Sequence, residues 1–248
     1  MGRPDRTGCR VLRRPVFNGA VRMLRALPVV PVVLLAGCGV AGTEFHPGVA
    51  AQIGDETITA RHIDQVTDSY CTAVEKVSKG QPDAGQATPL RYLTHEFTTA
   101  LVVAAAAEQL AAEYDVEPTP SYKADLAQLE PQLVNLDQDE KDAVREVIGA
   151  RSYSDDVLTQ IGAIDLENQG TSDATAEDQL AAGRDVLRDW VADHDVEVNP
   201  RYAVELGTAE QVDTDLSYPA GGTAKDGLLP EADPDYTASL PDHLVCLD

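Results

Sequence analysis

The sequence predicts a mainly α protein with one small β element, and three observations carry that expectation. From Pro89 to Asp193 every stretch sets apolar residues at helical spacing. Only two segments alternate as strands do, one starting at Val49 and one at Val196. Aromatic residues make up 5% of the 248 positions, so Leu, Val and Ala must fill the core, and alanine-rich faces let helices approach closely.

The elements follow in order. Val49 to Cys71, "VAAQIGDETITARHIDQVTDSYC", reads as a short strand, a Gly54-Asp55 turn, a second strand over Thr57 to Thr59, then a helix with Thr59 as N-cap. Ile63, Val66, Tyr70, Val74 and Val77 form its apolar face, and "GQPDAG" ends it. The longest periodic run spans Pro89 to about Tyr114. Thr119 before Pro120 opens a further helix with Leu126, Leu129, Leu133 and Leu136 on one side and a kink expected at Pro131. Asp137 with Glu140 forms a capping box for a helix carrying Val144, Val147 and Ile148. Two more are expected over Ser154 to Asn168 and Thr175 to about Asp193. "VEVNPRYAVEL" then alternates until Pro200 demands an edge or bulge, and the tail from Thr208 reads as mostly irregular.

Charge excludes one class of partner. The chain carries −23 overall, but seven arginines precede Cys38 against a single acid, Asp5, so the remainder carries −29. Such a surface repels phosphate backbones, and no nucleic-acid partner is expected. It also favours a soluble monomer.

The basic start, followed by the apolar run from Ala26 to Gly37, has the order of a secretory signal peptide. About twelve apolar residues, interrupted by Pro28 and Pro31, fall short of the roughly 20 needed to span a bilayer. Leu35-Ala36-Gly37-Cys38 resembles the bacterial lipobox. That resemblance implies cleavage before Cys38, acylation of its sulfur, and a palmitate-type lipid anchor at the extracytoplasmic face of the cell membrane. Met23 is an alternative initiator. Residues 1–37 are thus expected to be signal, 38–48 a lipidated tether, 49–206 a helical domain and 207–248 a tail docking on it. Cys9 leaves with the signal, so Cys71 and Cys246 are the remaining thiols, in a compartment where disulfides persist. We expect them to be bridged, which would fold the apolar end "HLVCLD" back onto the helices.

Two segments carry a family resemblance. "VAAQIGDETITARHIDQV" resembles the opening of the N-terminal domain of SurA-like periplasmic chaperones, and "VEVNPRY" resembles the strand that closes that domain in secreted actinobacterial members. The resemblance spans about Val49 to Leu206 and implies that the first and last segments pair beside a helical body. The parvulin prolyl-isomerase domain of that family has no counterpart here, because every stretch between Pro89 and Asp193 has helical period.

Enzymatic motifs are missing or incomplete. His95-Glu96-Phe97-Thr98-Thr99 lacks the second histidine of H-E-x-x-H, so one helix face offers a single zinc ligand. Asp165 to Glu177 sets Gly170 at the sixth position of an EF-hand-like loop, but the bidentate acid falls one residue late. No G-x-S-x-G, P-loop or dinucleotide fingerprint occurs. Pairs such as Asp155-Asp156 and Asp137 with Asp139 read as solvated faces or helix N-terminal charges. We therefore expect no catalytic residue, no metal, no cofactor and no enzyme. The expected function is chaperone-like binding of apolar segments of unfolded or secreted polypeptides; the alternative is an accessory lipoprotein docking on one envelope partner.

Overall fold

The computed structural model describes residues 47–79, 87–202, 204, 206 and 233–246, all within one unit of the chain. The fold is mainly α with a small antiparallel sheet. β1 (Val49–Ile53) turns at Gly54, whose φ of +56 suits a residue without Cβ, into β2 (Glu56–Thr59). Thr59 then caps α1 (Ala60–Ser78), its Oγ1 accepting from the His62 N–H at 3.2 Å. β4 (Val196–Val198) returns to pair antiparallel with the other edge of β1, Ala51 opposite Val198, giving the order β2-β1-β4. The expected pairing of the first and last segments is therefore present, and β2 is left as a sheet edge.

β3 (Thr88–Pro89) leads into α2 (Leu90–Tyr114), which ends at Asp115 in the left-handed region. α3 (Pro120–Leu129) starts as the sequence predicts: Thr119 Oγ1 accepts from the Tyr122 N–H. It ends sooner than predicted. Pro131 does not kink a continuing helix; Glu130–Gln132 form a single 3₁₀ turn, and Leu133 and Leu136 are buried from the loop that follows. A proline cannot donate its backbone nitrogen to a helix, so the ladder stops there.

The larger correction concerns α4. The two helices expected on either side of residue 150 are one, Gln138–Asn168, of 31 residues and about 46 Å. Gly149 continues the helix instead of breaking it, and Ser154 does not cap a new one, because its hydroxyl donates back to the Ala150 carbonyl at 2.7 Å. The capping box at its start is present: Glu140 accepts from the Asp137 N–H at 2.9 Å and from Lys76 Nζ at 2.6 Å, which accounts for an acid that is 6% exposed. α5 (Ala176–Asp193) begins with a second box, Thr175 with Asp178.

The main core gathers β1, α2, α4, α5 and Tyr202, with Ile53, Ile63, Leu110, Leu158 and Ile161 fully buried. Two smaller clusters hold the other end of α4, one around Phe97 and Val147, the other around Ala73, Leu133 and Val144. α4 and α5 meet through glycines. A Cβ on Gly162 would stand 1.8 Å from the Gln179 carbonyl oxygen, and one on Gly183 would stand 1.9 Å from that of Leu158. Only two glycines let these backbones touch.

The C-terminal tail is more regular than the sequence predicts where it is described: α6 (Pro234–Ser239), a 3₁₀ turn, and β5 (Val245–Cys246), which pairs antiparallel with β3. Asp233 begins α6 by accepting from two backbone N–H groups.

Candidate functional site

The residues singled out from sequence lie in separate places. Cys38 and the signal segment fall outside the described residues. Cys71 on α1 and Cys246 on β5 are joined by a disulfide with Cα atoms 5.4 Å apart, both buried, as expected. The His95 ring is hydrogen-bonded to the Tyr202 carbonyl at 2.8 Å and ties α2 to the segment after β4. Asp165 sits in the last turn of α4, and Glu177 sits in the first turn of α5. Among the described residues no group of three His, Cys, Asp or Glu side chains could hold a metal ion. Asp155 pairs with Arg184 across the α4–α5 crossing at 3.0 Å. Asp156 does what the sequence did not reveal: it accepts from both the backbone N–H (2.8 Å) and the hydroxyl (2.5 Å) of Thr119, fixing the start of α3 against α4.

That contact matters because α3 forms one wall of the larger cleft, about 650 Å³, between β2, α1, α2, α3 and α4. Its floor is apolar, formed by Ile58, Leu101, Ala104, Ala105 and Ala150. Tyr122 and Tyr153 stand edge to face with ring centroids 5.8 Å apart. Burial raises the pKa of both phenols, and Glu108 adds to the shift at Tyr153, so both stay protonated at neutral pH. Gly149 widens the wall beside them: an added Cβ would meet only Leu126 at 3.6 Å and the Tyr122 hydroxyl at 3.9 Å.

The rim is charged. His62 Nε2 lies 2.5 Å from Glu146 Oε1, linking α1 to α4 across one end. Arg145 turns to Glu130, with two contacts of 2.7 Å, and to Asp142 at 3.1 Å. Glu56 and Glu108 are exposed and make no hydrogen bond or ion pair among the described residues. The His62–Glu146 pair is not hydrogen-bonded onward to any side-chain hydroxyl or thiol among the described residues.

A second cleft of about 500 Å³ lies between α2, α4 and α5, with Ala100, Val103, Leu158, Leu187 and Leu206 facing three arginines. Here every arginine has a carboxylate: Arg151 with Glu96 at 2.7 Å, Arg184 with Asp155, and Arg188 with Asp185. Its charges are internally satisfied.

No described helix is long and apolar enough to cross a membrane. No family model, curated protein or solved structure matches the chain.

Proposed function

We propose that this protein is a lipid-anchored extracytoplasmic binding protein, resembling the chaperone part of SurA-like proteins, that holds segments of unfolded or secreted polypeptides without chemistry. The observation that supports it best is the cleft of about 650 Å³ with an apolar floor, bounded by four helices and a strand. A site of about 650 Å³ has room for a short run of side chains, and its lining includes all four residues of β2, whose backbone an extended polypeptide can use. The sequence features at Leu35 to Cys38 supply the anchor, and the acidic surface keeps the domain off an anionic leaflet.

A second reading, docking on one envelope partner, draws support from the surface. The large apolar side chains that are exposed among the described residues, Val77, Val134, Ile164 and Leu244, belong to different elements rather than to one broad apolar cradle. One experiment separates the two. Purified protein should slow aggregation of several unrelated unfolded clients at stoichiometric ratio while leaving proline-limited refolding at its uncatalysed rate. No effect on any client would transfer the assignment to the docking reading, and catalysed refolding would overturn the absence of isomerase activity. Cys38→Ala should move the protein from the membrane to the soluble fraction; retention in the membrane would remove the anchor from the account.

A further inference from the structure

We infer that the larger cleft takes an extended peptide segment bearing a basic side chain among apolar ones, added as a fourth strand to the free edge of β2; this rests on the polypeptide-binding reading above. Three independent features converge on that occupant. First, all four residues of β2, Glu56 to Thr59, line the cleft, and β2 is the outer strand of the sheet. Its edge away from β1 has no backbone partner among the described residues. An unpaired edge is a template for an incoming extended chain, whose alternate side chains then point to opposite faces.

Second, the floor offers apolar contact next to that edge. Ile58, 7% exposed, and Leu101, 9% exposed, both line the cleft, and the short side chains of Ala104 and Ala105 leave depth above the floor for an apolar side chain to seat. Third, the charges are unbalanced in one direction. Glu146 is occupied by His62 and Arg145 by Glu130 and Asp142, which leaves Glu56 and Glu108 as the unmatched charges of the lining. Tyr122 and Tyr153 stand with them, and aromatic faces attract an ammonium or guanidinium group. The second cleft has neither feature: no strand borders it, and its arginines are paired. A peptide carrying apolar and basic residues two positions apart, hence on one strand face, fits the first cleft, whereas its acidic counterpart meets two unmatched carboxylates and cations already paired, Arg145 with Glu130 and Asp142 and His62 with Glu146.

Fluorescence anisotropy on the full chain tests this with four labelled probes of equal length: Val/Lys, a Val-Ser-Lys-Ser repeat that sets both residue types on one face; Val/Glu, the same repeat with Glu for Lys; and two Val/Lys probes, each with N-methyl groups on one of the two alternate sets of amides. We expect the Val/Lys probe to bind at least tenfold more tightly than Val/Glu. E56Q together with E108Q should weaken it about tenfold without moving the melting temperature. Glu167→Gln with Asp173→Asn, which removes the same charge outside the cleft, should change it less than twofold. One N-methyl set should abolish binding and the other should not. Equal loss in both charge-matched variants would reduce the attraction to the net charge of the protein and overturn the site. Equal tolerance of both N-methyl sets would overturn strand addition. If no probe binds while clients are still protected from aggregation, this site is wrong and the function stands; if Val/Lys binds as expected with no client protected, the site stands and the broader chaperone reading fails.

Discussion

Two faces of α4 use glycine for opposite purposes. Toward its C-terminal half, Gly162 lies against α5 so closely that a Cβ would fall 1.8 Å from a backbone oxygen, and Gly183 reciprocates. One helical stretch earlier, Gly149 is also buried, yet an added Cβ there would meet side chains only at ordinary contact distance. The first face is a closed joint between backbones. The second is the wall of a cleft with space left over. A single 31-residue helix thus runs from an open end, where α1, α2, α3 and β2 surround a hollow, to a sealed end locked onto α5. Rigidity and opening are divided along one element, with the sealed end holding the helix in place while the open end presents a surface.

The largest effect is expected at the α4–α5 joint. Gly162→Ala should destabilise by about 3 kcal/mol or more, since backbone must move on both helices, and a loss of that size lowers the melting temperature of a chain this long by roughly 6–12 °C. Thermal unfolding followed by circular dichroism measures it, and a shift below about 2 °C would mean the two helices do not cross this closely.

Next in size is the bridge that fastens the tail near the open end. Cys71→Ser, or reduction of the wild type, should cost about 2–4 kcal/mol by releasing a long loop in the unfolded chain, with about 5 kcal/mol as the chain-entropy ceiling. Intact mass after alkylation, with and without reductant, establishes the bridge itself. Two alkylated cysteines in the unreduced, unfolded protein would remove it.

The smallest effect has the opposite sign. Gly149→Ala should stabilise by up to about 1 kcal/mol, because alanine restricts the unfolded chain and the Cβ has room. Together with the loss at Gly162, that gain would show the two glycines to be unlike despite sharing a helix.

The pattern of these differences explains what sequence could and could not deliver. Caps were legible at Thr59, Thr119 and Asp137, since each is a local hydrogen bond between a side chain and the first turn it precedes. The pairing of β1 with β4 was expected from a resemblance, and Cys71 with Cys246 from compartment and count. What escaped depends on neighbours distant in the chain. The continuity of α4 through Gly149 and Ser154 needs the packing of both its halves, and the Gly162–Gly183 contact has no local signature. The cleft was invisible for the same reason. Ile58, Leu101 and Ala150 are buried apolar residues with no local signature of a cleft, and only their arrangement around Tyr122 and Tyr153 leaves a hollow. In the sequence Asp156 reads as part of a solvated face or a helix N-terminal charge, because its partner, Thr119, lies 37 residues away.

The most direct test of the central claim, that the open end of α4 is where polypeptide is held, is client protection by a variant whose cleft is filled. Ala104, partly buried on the floor, can carry a larger side chain without a new polar group, and leucine is a good helix former. Ala104→Leu should keep the wild-type melting temperature within a few degrees and lose most of the protection of unfolded clients against aggregation, read by light scattering at equal protein ratios. Full protection by a folded Ala104→Leu protein would contradict the account and place any client-binding surface elsewhere on the molecule.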